Sequence, residues 1–436
     1  MTRERTSVLH SWCVQAEWDA PTIVGGQGAW FWDSEGRRYL DMSSQAECLS
    51  LGHQHPALIR AIHQQAEKLC FIHSDWGAEP RAELAERLLE KSRFEGGRVF
   101  FTLGGADANE TAVKLARQAS GKPGGWIVAR DRSYHGASYA TMALSGDPRA
   151  RHHIEPEEMH AVHVPPPYAY RCPFGTASEA ECGERAARAV GEAIDQRGAS
   201  HVAGVLMEPN AGTNGIVPPD GYWPRLCEET RRRGVLLIAD EVMSGFGRCG
   251  EWFAWQRHGE AGRPDLMTLA KGLTASSLPL GAVVLSREVA SLLEHQMLYT
   301  GLTYCGHPLA CAAGLAALKA YEDEELIERS RQLGARLIAE LLVMQERNPV
   351  IGDVRGGHGL FAVAELVRDQ ETREPISPWP DRHPSLGTLR RRALAEGVSF
   401  AIRGNLILLA PPLVIEEPDM EHGLRLLGCL LEELWP

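Results

Sequence analysis

At 436 residues the chain exceeds one comfortable hydrophobic core, which predicts two intimately packed domains. A 44% hydrophobic and 23% charged composition argues against both a disordered chain and a membrane protein. The net charge of -12 opposes binding to a phosphate backbone, which needs gathered Lys and Arg, so small molecules rather than nucleic acid are the expected partners.

The opening MTRERTSVLH lacks an apolar core of signal-peptide type, and no run is long enough to span a bilayer. The expectation is a cytoplasmic protein without a membrane partner. Ten cysteines are scattered without a CxxC pair, a pattern of buried thiols rather than of a disulfide framework or zinc ribbon. Cys172 and Cys182 flank a Pro/Gly-containing loop and could approach each other; no role is assigned to them. The pairs His53/His55 and His152/His153 lack partners at recognised ligand spacing, so no metal is expected.

In chain order, Trp30 to Asp33 and the Gly36-Arg37-Arg38 turn predict a hairpin. Short apolar runs then alternate with helical stretches: Arg98 to Leu103, Trp126 to Arg130, Val202 to Glu208, Val235 to Val242, Leu266 to Ala270 and Leu280 to Ser286. The near-continuous apolarity of Val235 to Ala239 suits a strand covered on both faces. The fold class is therefore α/β, a mostly parallel sheet flanked by helices. Arg231-Arg232-Arg233 before Gly234 reads as a helix end complementing its dipole. Beyond about Glu322 the pattern is amphipathic helix, with prolines 375, 378, 380 and 384 marking a loop before a helix containing Arg390 to Arg392. The expected division is 1–55 and 321–436 in a smaller α+β domain built from both ends, and 56–320 in the large domain.

Ligands of such sheets sit at the carboxyl ends of the strands. Three strand ends there carry chemistry. In Phe101-Thr102-Leu103-Gly104-Gly105-Ala106-Asp107-Ala108-Asn109-Glu110 a strand meets two glycines and then a helix, a geometry that can hold a phosphate on free backbone N–H groups or simply make a tight turn. Asp240 ends a buried strand, and a protonated ring nitrogen is a suitable partner for such a carboxylate. Lys271 directly follows another apolar run, where burial would favour a neutral amine able to form a Schiff base.

Together with Ser133-Tyr134-His135-Gly136, Glu208-Pro209, ADEVMSGFGRCG and GLTYCGHPLACAAG, these segments resemble, in order and over nearly the whole length, the class III aminotransferases of the fold-type I pyridoxal-phosphate superfamily. The resemblance implies pyridoxal 5'-phosphate as cofactor. Gly105 and Ala106 would hold its phosphate, Tyr134 and Val242 its two ring faces, and Asp240 its ring nitrogen. His135 and Glu208 complete the cofactor-binding set, and Lys271 would carry the cofactor covalently. Thr303 would reach the neighbouring subunit's cofactor, implying a homodimer with shared active sites.

Gly212-Thr213-Asn214-Gly215, His10-Ser11-Trp12 and Tyr170-Arg171-Cys172-Pro173-Phe174-Gly175 look most like the taurine–pyruvate and ω-amine–pyruvate branch. Thr213 takes the place of the glutamate of 4-aminobutyrate and ornithine aminotransferases, which speaks against those activities. The implied reaction moves an amino group from an ω-amino acid or amine donor to an oxo acid, with pyruvate the natural acceptor. Trp12 and Arg403 are expected at the substrate, Arg403 facing a carboxylate or sulfonate. Glu47, in Gln45-Ala46-Glu47-Cys48-Leu49, departs from that branch and would favour a cationic donor over an anionic one. The motifs alone also fit a decarboxylase or aminomutase of the same fold, or a cofactor-binding protein without catalysis.

Overall fold

The computed structural model describes residues 3–381 and 383–435. Near the start, β1 (Ile23–Gln27), β2 (Trp30–Asp33) and β3 (Arg38–Asp41) form an antiparallel meander. Its predicted turn is closed by Asp33 N–H donating to Arg37 O at 3.1 Å, and the Asp33 carboxylate accepts the backbone N–H of Glu35 and of Arg37.

The large sheet contains β4 (Arg98–Thr102), β5 (Trp126–Arg130), β6 (Ala161–Val164), β7 (Val202–Met207), β8 (Leu236–Asp240), β9 (Leu266–Leu269) and β10 (Gly281–Leu285). Their spatial order is β4-β10-β9-β8-β7-β5-β6. Pairing is parallel from β9 through β8, β7 and β5 to β6, whereas β10 runs antiparallel to both β4 and β9. Every residue of β7 and β10 is buried, as expected of strands covered on both faces. The run Trp126 to Arg130 matches β5 residue for residue, whereas the other runs overshoot their strands by one or two residues at the carboxyl end; Leu103, Glu208, Glu241 and Ala270 already belong to the turns that carry the site.

The helix Gly105–Ala119 lies along this sheet, its Ala108, Ala112 and Ala116 packing with Ile127, Leu206, Ile238 and Val283. Small side chains let the helix approach the strands closely. Helix Tyr222–Arg232 ends as expected, with Gly234 at φ +62.

The C-terminal part holds β11 (Ile351–Gly356), β12 (Ala362–Asp369), the short β13 (Glu374–Pro375), β14 (Val398–Ser399), β15 (Ala401–Arg403) and β16 (Leu406–Leu409). Strands β11-β12-β16-β15 form an antiparallel sheet. The predicted helix after the prolines spans Pro384–Ala395. Strand β14 leaves this region and pairs in parallel with β3, Val398 opposite Leu40 and Ser399 opposite Asp41. Among the described residues, no helix is long and apolar enough to cross a membrane.

Candidate active site

The site is built where β4, β8 and β9 end. Beyond β4, the helix Gly105–Ala119 begins with no side chain capping its N-terminus; the Asp107 carboxylate instead turns back and accepts Leu103 N–H at 2.7 Å. The first amides therefore remain open at the positive end of the helix dipole, an anion site made of backbone alone. A Cβ on Gly105 would lie 2.9 Å from Val242 Cγ1, so only glycine lets the turn come this close to the residue after β8. A Cβ on Gly136, at φ +141, would lie 2.6 Å from Ala106 Cβ, which brings the Tyr134-His135 turn onto the same cradle.

Asp240 ends β8 at 4% exposure. Its Oδ2 accepts a hydrogen bond from Asn109 Nδ2 at 2.8 Å and lies 2.7 Å from His135 Nδ1. Its Oδ1 accepts Val242 N–H at 3.0 Å. Asn109 is itself oriented by Thr268 Oγ1, which donates to Asn109 Oδ1 at 2.7 Å, and by donating to His135 O at 2.9 Å. One turn of helix, one strand and one loop thus hold this carboxylate in a single direction.

Glu208 follows β7, and its carboxylate is held by Arg130 at 2.9 Å and accepts Tyr134 N–H at 3.4 Å. Burial pushes the Glu208 carboxyl above its ordinary range, against the opposing influence of Arg130 and His135. Burial likewise raises the Tyr134 hydroxyl. Next to Asp240, the buried Glu241 points away from the site and accepts Trp255 N–H at 2.9 Å, Ala254 N–H at 3.0 Å and the Ser244 hydroxyl at 2.5 Å.

Lys271 starts the turn after β9 with φ +41, a conformation costly for a side-chain-bearing residue. Its Nζ donates to Glu47 Oε2 at 3.3 Å. Glu47 is only 3% exposed and also sits in the left-handed region, at φ +54. Its other oxygen, Oε1, is buried without a hydrogen-bond donor, 3.8 Å from Arg403 Nη2. The end of β15 therefore brings the Arg403 guanidinium to the same carboxylate as the lysine.

A cavity of about 600 Å³ has a wall that includes Gly105, Ala106, Tyr134, His135, Glu208, Asp240, Val242 and Lys271, with Thr213 at one side; Glu47, between the wall residues Ala46 and Cys48, and Arg403 are not themselves part of that wall. Trp12 is half exposed, edge-on to Tyr134 at 6.2 Å, and carries the Arg149 guanidinium 4.8 Å above its ring. Thr303 is exposed and lies outside this cavity in the single chain. Sequence reading overlooked the anchors Asn109, Thr268 and Arg130. Asn109 alone had a visible signal, since it shares the helix face of Gly105 at a spacing of four residues. His53 and His55 serve structure, pairing with Asp41 at 3.3 Å and Glu324 at 2.9 Å.

The family described as aminotransferase class-III matches residues 15–430. The chain is 33% identical to the putrescine–pyruvate aminotransferase of Pseudomonas aeruginosa, covering 95% of this chain and 91% of that protein. It is also 33% identical to the taurine–pyruvate aminotransferase of Rhodobacter capsulatus, over 95% and 92% of the two chains. The solved taurine:2-oxoglutarate aminotransferase of Bifidobacterium kashiwanohense, in complex with PLP and glutamate, superposes with a TM-score of 0.92 at 34% identity, covering 99% of this chain and 96% of that one. The chain belongs to the class III aminotransferases, has the fold-type I architecture and is a pyridoxal-phosphate-dependent transaminase.

The residues present fit that cofactor. An uncapped helix start offers donors to a phosphate, Gly105 keeps the cradle open, a fixed buried carboxylate faces the cavity, and a lysine amine stands at its wall.

Proposed function

We propose that the enzyme moves an amino group from an amine or ω-amino acid donor to an oxo acid, with pyruvate as acceptor, and that cationic donors are favoured over anionic ones. The observation that carries this reading is the buried Glu47 carboxylate standing between Lys271 and Arg403. Pyridoxal phosphate, when bound, supplies an electron sink for the carbon that bears the amine. Gly105 and Ala106 would bind its phosphate, Tyr134 and Val242 would confine its ring, and Asp240 would keep a proton on the ring nitrogen, with His135 and Asn109 holding that carboxylate in place. Glu208 would steady the Tyr134 turn through its backbone. Lys271 Nζ would hold the cofactor covalently, and the same amine would take up and return the proton of the donor's amine-bearing carbon.

Arg403 would receive the acceptor's carboxylate, a planar partner for a guanidinium. Glu47 would neutralise a donor's positive charge and repel a sulfonate or carboxylate placed near it. Trp12 would close the outer side of the pocket over Tyr134. Pyruvate is part of the name of two of the relatives; 2-oxoglutarate, named for the third, is the competing acceptor.

We also infer a homodimer in which Thr303 of each copy completes the other's site. Support comes from its exposed neighbour Tyr304, whose ring packs 5.8 Å from that of the exposed Phe71, apolar surface that is costly to leave in water. The pairing of β14 with β3 supports a smaller domain drawn from residues 1–55 and 321–436, set beside 56–320.

The test is the visible absorption band of the loaded enzyme during addition of taurine, β-alanine and diamines one at a time, followed by pyruvate or 2-oxoglutarate. The expected outcome is bleaching by a diamine and recovery with pyruvate. Bleaching by taurine alone would overturn the donor preference, and recovery with 2-oxoglutarate only would overturn the acceptor.

A further inference from the structure

Three residues of the segment that carries Glu47 stand in the left-handed region, Ser44 at φ +48, Gln45 at φ +61 and Glu47 itself. Such conformations are costly and persist only where the surroundings impose them. Two anchors do so here. The buried Asp41 carboxylate accepts Ser43 N–H at 3.1 Å, Gln45 N–H at 3.1 Å and the Gln45 side-chain amide at 2.9 Å. The Ser44 hydroxyl donates to Ala410 O at 2.7 Å and accepts from Arg248 Nη2 at 3.1 Å, while Arg248 Nη1 holds Leu360 O and Pro411 O, each at 2.7 Å. The backbone bearing the Glu47 carboxylate is thus fixed from behind.

The two oxygens of that carboxylate are used unequally. Oε2 meets Nζ of Lys271, a residue of the cavity wall, whereas Oε1 has no donor among the described residues. Arg403 Nε is also buried and has no acceptor among them. Arg403 Nη2 stands 3.8 Å from Oε1, beyond hydrogen-bond reach, so a small group can enter between the two side chains without breaking a bond. Arg403 is the side that can yield, its side chain being 30% exposed while that of Glu47 is buried.

A buried acceptor and a buried donor left open side by side are costly, and few groups satisfy both. An ammonium donates to Oε1 but sets a second positive charge against Arg403. A carboxylate or sulfonate accepts from Arg403 but confronts Glu47. A hydroxyl is neutral and does both, having one O–H to donate and two lone pairs to accept with. Water bridging the pair would be displaced without loss by a hydroxyl, and with loss by a methyl group.

We propose that Glu47 Oε1 and Arg403 Nε form a hydroxyl-binding subsite, and that the preferred donor is an amino alcohol. Its amine takes the place of Lys271 Nζ opposite Oε2, and a hydroxyl two or three carbons away meets Oε1 of the same carboxylate. This rests on the placement of the donor beside Glu47 proposed above, and it narrows the cationic donors to singly charged, hydroxylated ones.

The experiment compares donors of one shape on the loaded enzyme without acceptor. In the longer set 3-amino-1-propanol, butylamine and 1,3-diaminopropane end in hydroxyl, methyl and ammonium; 2-aminoethanol, propylamine and 1,2-diaminoethane form the shorter set, and β-alanine is the anionic reference. The rate at which each bleaches the visible band gives its second-order rate constant. In at least one set the amino alcohol should lead the methyl analogue by roughly tenfold to a hundredfold, and should also lead the diamine. In Arg403→Met the repulsion is gone, and the diamine should overtake the amino alcohol. In Glu47→Leu the hydroxyl's lead over methyl should shrink to about twofold or less. Each comparison is a ratio within one protein, which a partial loss of folded enzyme does not move, and the parent enzyme alone decides the matter if a variant fails to fold. A methyl analogue within about twofold of the amino alcohol in both sets, or a diamine ahead of it in both, would overturn the subsite. If a diamine then still outran β-alanine, the donor preference proposed above would stand without it; β-alanine ahead of every cationic donor would overturn both.

Discussion

Glu47 Oε2 lies 3.3 Å from Lys271 Nζ, so a carboxylate shielded from water stands beside the amine on which the proposed chemistry depends. Replacing it tests its part in donor choice. Glu47→Gln keeps the shape and removes the charge, and should raise kcat/KM for β-alanine or taurine relative to a diamine by on the order of tenfold. An unchanged ratio would remove Glu47 from the substrate site.

Arg403 shares that carboxylate through Oε1. Arg403→Gln should raise KM for the oxo acid roughly tenfold to a hundredfold, because a charge-assisted, two-pronged contact is lost. Reaction with a simple monoamine, followed by bleaching of the cofactor band, should stay within about twofold of the parent enzyme, since uniform binding of a group it lacks cannot be removed. Equal loss in both half-reactions would contradict an acceptor role.

Asn109→Ala removes the donor at 2.8 Å from Asp240 and leaves the Thr268 hydroxyl without its acceptor. A hydrogen bond to a charged group contributes about 1.5–3 kcal/mol, so cofactor Kd should rise by about tenfold or more and kcat should fall. Equilibrium dialysis against pyridoxal phosphate measures the first. Unaltered affinity and turnover would mean that His135 and the Val242 amide suffice to aim the carboxylate.

Glu241 supplies a pH signature. Burial raises its carboxyl from an ordinary value near 4.5 to about 7, although the Ser244 hydroxyl and the Trp255 and Ala254 amides favour the charged form. The folded state therefore keeps a proton that the unfolded chain has already released. Stability from this group is full below about pH 4.5, declines as pH rises toward 7 and is level beyond it. Glu241→Gln should flatten that decline, read as the change in urea midpoint between about pH 5 and about pH 8. A variant with the parent's slope would assign the pH dependence elsewhere.

The strands that bear the site were legible because their apolar runs stand out and end in residues that cannot be buried without purpose, Asp240 and Lys271 foremost. Strand β6 was not, since Ala161-Val162-His163-Val164 is short and its histidine breaks the run. Nor does any local pattern announce that Glu47 meets Lys271, 224 positions away, or that Thr268 orients Asn109 across 159. Such pairs depend on how helix, strand and loop pack, and one sequence does not encode that as a spacing. Glu47 was singled out by its departure from kin, yet its burial between two cations emerged only from the fold.

The parallel ladder between β3 and β14 also sets an order of events during synthesis. Leu40 finds Val398 only after about 360 further residues have been made, which at ordinary elongation rates takes on the order of tens of seconds. Through that interval the β1–β3 meander lacks the neighbour that covers its edge, and only once β10 has emerged does the large central sheet have all its strands and the means to fold. An unpaired edge of this kind is a template for other chains. A chaperone that recognises extended edges would therefore find one exposed on each chain for the whole time between the making of β3 and the making of β14.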